Sequence, residues 1–343
     1  MSSDKQAAER LDNLSSILKV IRAEGSITRR ELASRLSLSW GCISELIGML
    51  VADGTVKEEK LPSSDAKGRT PSVLTFSDGK NILGVDINKT GLSLCVCSLS
   101  GEKLYECDSP LNTESKSALL HDVLKAVSEA QNLFPNICIA GFAVQGIKDA
   151  ESGCRNFSHN IKIDFENDVA SRLDIPAVVE HDPNCMLLGC MDDESKENKM
   201  LVRIDRGIGA AIYKSGGSFD GGLLELGYTS VGGGKRLFEL SDVSYIDGLF
   251  ADEREKALTV AGEQIGIALG NFCNMISLDE IIVCGEITRY EDVIIPSIEK
   301  SYGETVIKQA AAKITAKNIR NAAFGAARLA IEAYPYVLKR KNV

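Results

Sequence analysis

Two similar strand-turn-strand patterns, about 120 residues apart, constrain the fold of this chain most strongly. The first begins at residue 82 and reads ILGVDINKTGLSLCVCSLSG, and the second begins at residue 200 and reads MLVRIDRGIGAAIYKSGG. Between them, residues 118–132 follow a helical period, and ICIAGFAVQG has the pattern of a buried strand. A further apolar run, SLDEIIVCGEI, ends in a glycine turn. This alternation predicts an α/β chain with two lobes around a cleft.

The first eighty residues follow a different pattern, that of three short helices. Residues 11–23 carry one apolar stripe, Thr28 and Glu31 have the spacing of a capping box, and Ser39 is placed to cap a third helix through Ala52. A tight turn between the second and third helices describes a helix-turn-helix. The strand-like runs TVKEEK and SVLTF around a polar loop are typical of a wing. On spacing alone, a helical bundle with a hairpin and no role at DNA remains the alternative.

DNA contacts are expected from the second helix, the third helix and the wing. The third helix contains no Lys or Arg and exposes Glu45, so phosphate contacts elsewhere would supply most of the affinity. Trp40, the only tryptophan, either meets a sugar or a thymine methyl, or packs internally. The candidate contact residues are Arg29, Arg30, Ser39, Trp40, Cys42, Ser44, Lys57, Lys67 and Arg69.

Composition limits where DNA could bind and argues against a zinc site, a membrane helix and a secretory signal. Residues 1–80 carry 12 Lys and Arg against 11 Asp and Glu, whereas the whole chain carries 39 against 48, so only this segment can present a basic face to DNA. Ten scattered cysteines without a C-x-x-C pair, and three histidines, leave little from which to build a zinc site. No apolar run reaches the roughly 18 residues of a membrane helix, and the polar N-terminus lacks a secretory signal. A cytoplasmic protein is therefore expected.

Taken in order, the motifs resemble the ROK family of sugar-responsive repressors and sugar kinases over nearly the full length. They are SITRRELASRLSLSWGCISELIGMLVADGTVKEEK, GRTPSVLTF, ILGVDI, AVQGIKDAESG, VVEHDPNCMLLG, DRGIGAAIYKSG, LLELGY, IIVCGEI and IRNAAFGAARLA. The resemblance implies a winged helix-turn-helix over residues 1–62, with wing and linker to about 80, followed by a two-lobed, actin-like (ribonuclease H-like) ROK domain over 81–343. Lobe one is expected at about 81–188 plus a C-terminal helix at about 317–336, and lobe two at about 189–316.

The resemblance also places nucleotide loops, and this chain departs from the kinase pattern in all three. The first loop, at Asp86, Asn88 and Thr90, lacks the glycines that let backbone amides close on phosphate. The second, at Arg206, Gly207 and Gly209, follows Asp205, whose carboxylate would repel phosphate by about 4 kcal/mol at ~4 Å. Arg206 is expected to offset part of that repulsion. The third loop retains Gly285 alone. These changes argue against ATP binding, and no cofactor is expected.

The sugar-binding side of the implied site is partly retained. Asp182 matches the family's catalytic base, Glu225 a sugar-binding glutamate, and Asn160 a sugar-contacting asparagine. His181 replaces an asparagine, and Tyr228 replaces a histidine that binds both sugar and zinc, so no metal is expected. Asp182 and Glu225 as solvated loop acids, and His181 as an ordinary surface residue, are the alternatives.

These observations predict a cytoplasmic transcriptional repressor of carbohydrate metabolism without kinase activity. It would bind an operator in double-stranded DNA as a homodimer or homotetramer, under the control of a carbohydrate effector bound at Asn160, His181, Asp182, Glu225 and Tyr228. A sugar kinase that uses Asp182 as its base and carries a DNA-binding domain is the first alternative. A DNA-binding protein with no effector is the second.

Overall fold

The computed structural model describes residues 2–60, 72–88, 91–146, 154–158, 161–192, 195–214, 224–231 and 234–341. Contacts divide the chain into two compact units. Unit 1 comprises Met1–Glu180, Asp192–Glu194 and Ala323–Val343, and unit 2 comprises His181–Met191 and Ser195–Ala322.

The N-terminal part of unit 1 has the predicted helix-turn-helix and wing. Its elements are α1 (Ser2–Glu24), α2 (Arg29–Leu36), α3 (Trp40–Ala52), β1 (Val56–Lys60) and β2 (Ser72–Phe76). Helix α2 begins with the predicted capping box between Thr28 and Glu31, and the Ser39 side chain accepts from the Cys42 amide at the start of α3. Strands β1 and β2 pair antiparallel, from Val56 with Phe76 to Lys60 with Ser72.

The rest of unit 1 is a five-stranded sheet with the strand order β5-β4-β3-β6-β9. Strand β3 pairs antiparallel with β4 and parallel with β6, and helix α11 packs against all three of these strands. A separate hairpin, β7 with β8, lies in the same unit. The elements are β3 (Asn81–Asn88), β4 (Gly91–Ser98), β5 (Lys103–Ser109), α4 (Lys116–Leu133), β6 (Ile137–Val144), β7 (Arg155–Ser158), β8 (Ile161–Ile163), α5 (Phe165–Asp168), β9 (Ala177–His181) and α11 (Ala323–Lys341).

The helix-turn-helix and the sheet of unit 1 share one hydrophobic core. Ile21 of α1 and Leu50 of α3 belong to the same buried cluster as Cys95 of β4 and Ala327 and Ile331 of α11. Buried apolar contact on this scale orders the two parts as one body, because separating them would expose apolar surface to water.

A polar cluster bridges the same boundary, and we call its four residues, Asp53, Thr55, Lys80 and Tyr334, the Tyr334 node. The Tyr334 hydroxyl donates to Asp53 Oδ2 at 3.0 Å and accepts from Lys80 Nζ at 2.7 Å, and it lies 3.1 Å from the Thr55 hydroxyl. Lys80 also forms an ion pair with Asp53. Asp53 and Thr55 follow α3, whereas Tyr334 belongs to α11, so the node ties the end of the third helix to the C-terminal helix.

Unit 2 is a four-stranded mixed sheet with the order β11-β10-β12-β13, in which β11 alone runs antiparallel to its neighbour. Helices α9 and α10 pack against each other, and their buried residues share a core with the sheet. The elements are α6 (Asp182–Gly189), β10 (Lys199–Ile204), β11 (Ile208–Tyr213), α7 (Leu237–Leu240), α8 (Val243–Asp247), α9 (Ala251–Cys273), β12 (Glu280–Cys284), α10 (Glu291–Thr305) and β13 (Lys313–Ala316).

The division differs from the predicted boundaries in two places. The predicted first lobe extends to about residue 188, whereas residues 181–191 belong to unit 2, because α6 packs on β10 and β11. The C-terminal helix begins at Ala323 and not near residue 317. No helix in the described ranges combines the length and the apolar character needed to cross a membrane.

Candidate functional site

The first candidate site, in unit 2, is built around Asp182 at the start of α6. Pro183 occupies the first turn, where its missing amide hydrogen has no consequence. A Cβ on Gly209 of β11 would lie 2.8 Å from Pro183 Cγ, so this glycine lets α6 approach the sheet. Asp182 is 3% exposed, which excludes the solvated loop acid considered from sequence.

Arg203 is the cation that balances this buried carboxylate. Its NH1 group donates to Asp182 Oδ2 at 2.5 Å, and its Nε donates to Asp205 Oδ2 at 2.6 Å. On the other side, His181 Nε2 lies 3.3 Å from Asp182 Oδ1, and the His181 side chain is 15% exposed, which does not fit an ordinary surface histidine. One guanidinium thus bridges the candidate base and the acid of the second nucleotide loop.

Asp205 also joins the predicted second and third nucleotide loops. Its Oδ1 accepts the backbone amide of Glu286 at 2.7 Å. Gly285, at φ +96°, makes this possible, because a Cβ there would lie 2.6 Å from the Ile204 carbonyl oxygen and 2.7 Å from Asp205 Oδ1. The expected offset of the Asp205 charge by Arg206 is wrong, since Arg206 Nε donates to the Ser244 hydroxyl and Arg203 pairs with Asp205 instead.

Of the other residues predicted to contact a sugar, Glu225 lies close enough to Asp182 to be affected by its charge, whereas Tyr228 is more exposed. Glu225 is partly buried, and its pKa is raised by burial first and by the charge of Asp182 second, so the two carboxylates influence each other. Tyr228 follows it in a single 3-10 turn, is 54% exposed, and packs its ring at 5.4 Å from that of Phe238. Asn160 lies outside the described residues.

In the first nucleotide loop, Asp86 and Asn88 are buried at the end of β3, where Asn88 Nδ2 donates to Asp86 Oδ2 at 3.1 Å. Thr90 lies outside the described residues. In the second loop, the Gly207 carbonyl accepts the Asp205 amide at 3.0 Å. Over the described ranges, no group of three His, Cys, Asp or Glu side chains is arranged around a possible metal position.

The second candidate site is the surface around α3. Trp40 is 60% exposed, so the internal packing considered for this indole is wrong. Ser39 is exposed and caps α3, whereas Ser44 and Cys42 are partly exposed on opposite flanks of the helix. Trp40 and Ser44 fall on one flank of α3 and Cys42 on the other, so the predicted contact residues do not share a single face.

The predicted basic contacts are partly engaged within the protein. Arg29 donates to both carboxylate oxygens of Glu58 on β1, at 3.1 and 2.8 Å, and Lys57 lies 3.3 Å from Glu59 and 3.6 Å from Asp78. Arg30 is exposed, and no ion pair to it is found among the described residues. Lys67 and Arg69 lie outside the described residues.

Sequence reasoning missed Arg203, although a signal was present. It is the one charge within the apolar run MLVRI, and Asp205 follows two residues later, directly after the end of β10. A charge in a buried strand needs a partner, so this spacing could have predicted the pair.

Comparisons with known proteins match both parts of the chain. Residues 82–232 match the ROK family, and residues 10–57 match a family described as winged helix-turn-helix DNA-binding. The chain is 21% identical over 349 residues to the DNA-binding transcriptional dual regulator NagC of Escherichia coli strain K12, covering 86% of each protein.

Solved structures agree on the fold. A ROK family transcriptional regulator, a homolog of the E. coli MLC protein, aligns with a TM-score of 0.79 at 17% identity over 97% of this chain and 98% of that one. A ROK family glucokinase from Streptomyces griseus, in complex with glucose and AMPPNP, aligns with a TM-score of 0.58 at 18% identity over 73% of this chain and 99% of that one. The predicted fold class, a winged helix-turn-helix followed by a sugar-kinase-like α/β domain, is confirmed.

Proposed function

Because the chain joins a ROK domain to an N-terminal winged helix-turn-helix domain, we propose that it is a cytoplasmic DNA-binding transcriptional repressor of carbohydrate metabolism. It binds an operator in duplex DNA as a homodimer or homotetramer. The observation that carries this proposal is the core shared by α1, α3 and α11, because a DNA-binding domain built into the ROK domain moves with it. The similarity to the NagC regulator over 86% of both proteins supports the same reading.

The effector in this proposal is a carbohydrate or a derivative of one, and it contacts His181, Asp182 and Glu225. Carboxylates and an imidazole offer hydrogen bonds that match sugar hydroxyls. Asn160 and Tyr228 complete the proposed set, with Tyr228 at its exposed edge.

The same site is proposed to lack kinase activity. Both Asp182 oxygens already have partners in Arg203 and His181, so a sugar hydroxyl must compete for the carboxylate that would accept its proton. The Asp205 carboxylate holds the Glu286 amide and places a negative charge in the second nucleotide loop, where it opposes a triphosphate.

The test is a gel-shift assay of the full chain with the DNA upstream of its own gene and with an unrelated duplex of equal length. We expect the chain to bind the upstream DNA preferentially, and at least one member of a sugar panel to alter that binding. Equal binding of both duplexes, or no binding, would contradict it.

A sugar kinase with a DNA-binding appendage is the second candidate, favoured by the buried Asp182 and by the likeness to the glucokinase fold. ATP-dependent formation of a sugar phosphate that Asp182→Asn abolishes would establish this alternative.

A further inference from the structure

The surface of α3 that faces away from the core is a ridge almost without side chains. At 100° per residue, its members fall in one line along the helix, opposite the buried Ile43, Leu46, Ile47 and Leu50. All four members are exposed, and we call them the α3 ridge: Gly41, Glu45, Gly48 and Ala52.

Packing within the protein does not explain the two ridge glycines. A Cβ added to Gly41 or to Gly48 would meet no atom within 4 Å, and neither residue has the positive φ that favours glycine. Glycine inside a helix is less favourable than alanine, so this sequence gives up helix stability at Gly48 without gaining a closer contact in the protein. A bare ridge does, however, let a helix approach the floor of the DNA major groove closely.

Glu45 is the one long side chain on the α3 ridge, and helix α1 supplies its partner. Arg10 NH2 lies 2.9 Å from Glu45 Oε1 and 3.6 Å from Met49 Sδ, and the Arg10 and Glu45 side chains are 50% and 63% exposed. Since α3 contains no Lys or Arg, Arg10 is the cation that α1 places beside the centre of the ridge.

We propose that Glu45 reads a cytosine in the operator, accepting the N4 amino hydrogen in the major groove, while Arg10 orients Glu45 and donates to a neighbouring phosphate. In the major groove, the carboxylate of Glu or Asp accepts a hydrogen bond from the N4 amino group of cytosine. Arg10 offsets the repulsion between this carboxylate and the DNA backbone. This inference rests on the proposed DNA-binding function and names the residue that sets its sequence preference.

The experiment selects bound sequences from a library of randomised duplexes with the full-length wild-type chain and with Glu45→Gln. For the wild type we expect one cytosine in each half-site that depends on Glu45. Because glutamine pairs with adenine, Glu45→Gln should change that position to adenine or lower its discrimination by about tenfold, with the other positions unchanged. Glu9→Gln, an exposed glutamate on α1, is the matched control and should select the wild-type motif.

Two further variants test the phosphate contact of Arg10 and the close approach of the α3 ridge to the DNA. Arg10→Ala should weaken binding to all duplexes and reduce the slope of log affinity against log salt by about one phosphate contact. Because Arg10 also orients Glu45, the variant should select the Glu45-dependent cytosine less strongly and leave the other positions of the motif unchanged. Gly48→Ala should raise thermal stability and yet weaken operator binding about tenfold or more, because the added methyl group keeps the helix from the groove. Gly303→Ala, at an exposed helical glycine of α10 with the same open space, should raise stability without changing DNA binding.

The outcomes are distinguishable. An unchanged motif for a folded Glu45→Gln protein that still binds DNA would overturn the role of Glu45 while leaving the proposed function intact. Unweakened operator binding by Gly48→Ala would overturn the close approach of the ridge. A wild-type chain that binds no duplex would overturn the proposed function and this inference with it.

Discussion

Replacing Tyr334 by phenylalanine tests whether the helix-turn-helix and the five-stranded sheet of unit 1 are one cooperative body. Tyr334 is 1% exposed, so the change removes a buried hydroxyl and leaves the ring in place. Two hydrogen bonds to charged groups are lost, one from Lys80 and one to Asp53. Each such bond contributes about 1.5–3 kcal/mol, so the two together would contribute about 3–6 kcal/mol. Because Lys80 and Asp53 keep their own ion pair in the variant, we expect a loss below that sum, about 2–3 kcal/mol.

Hydrogen exchange followed by mass spectrometry measures this loss at both sides of the Tyr334 node. If α3 and α11 open together, exchange in residues 43–52 and in residues 331–338 should accelerate by the same factor, about 30- to 150-fold for 2–3 kcal/mol. Tyr336→Phe is the matched control, because Tyr336 lies on the same helix and is 54% exposed. That variant should exchange like the wild type.

Two outcomes of the exchange experiment would rule out a single cooperative body. Acceleration below about threefold in both segments would mean that the node does not stabilise the boundary. Strong acceleration in one segment alone would mean that the two parts open independently despite their shared apolar cluster.

Three further perturbations test unit 2. Arg203→Gln leaves the Asp182 and Asp205 carboxylates without their cation and should lower the free energy of unfolding, measured by urea denaturation, by about 3–5 kcal/mol. Arg206→Gln is the control, and an Arg203→Gln loss no larger than that of the control would contradict this expectation. Gly285→Ala should destabilise by about 3 kcal/mol or more because of its positive φ and the Asp205 contact, whereas Gly207→Ala, with open space around it, should stay within about 0.5 kcal/mol. Glu225→Gln removes a carboxyl group whose pKa in the folded protein is raised above 4.5 by burial and by the charge of Asp182, so wild-type stability falls as pH rises through that pKa. The variant should therefore be the more stable protein at pH 7, and this advantage should vanish below about pH 4.5. A difference in thermal melting that does not depend on pH would refute the assignment.

Sequence patterns predict the helix starts and hairpins that depend on contacts between residues close together in the chain. The Thr28–Glu31 capping box and the Ser39 cap fix the starts of α2 and α3 through hydrogen bonds within four residues. The strand-turn-strand patterns became the β3–β4 and β10–β11 hairpins, because apolar runs on both sides of a turn pair with each other.

Contacts between distant residues were not predictable in the same way. The pairing of Arg29 with Glu58 depends on how the wing folds back on α2, and the Tyr334 node joins residues about 280 positions apart. The placement of α6 in unit 2 follows from the fit of Pro183 against Gly209, which no local period encodes. The sequence predicts that the Asp205 carboxylate repels phosphate. It does not predict that Asp205 accepts a hydrogen bond from the Glu286 amide, because that contact depends on the backbone conformation at Gly285.

In the function we propose, a ligand bound to this chain acts as a signal at DNA and requires no reaction. The decisive measurement is a titration of the operator with the full chain in the absence of ATP, with and without a sugar that raises the thermal stability of the protein. We expect saturating sugar to change the operator Kd by at least tenfold, a coupling of about 1.4 kcal/mol. The same Kd with and without that sugar would show that the ligand is not a signal at DNA.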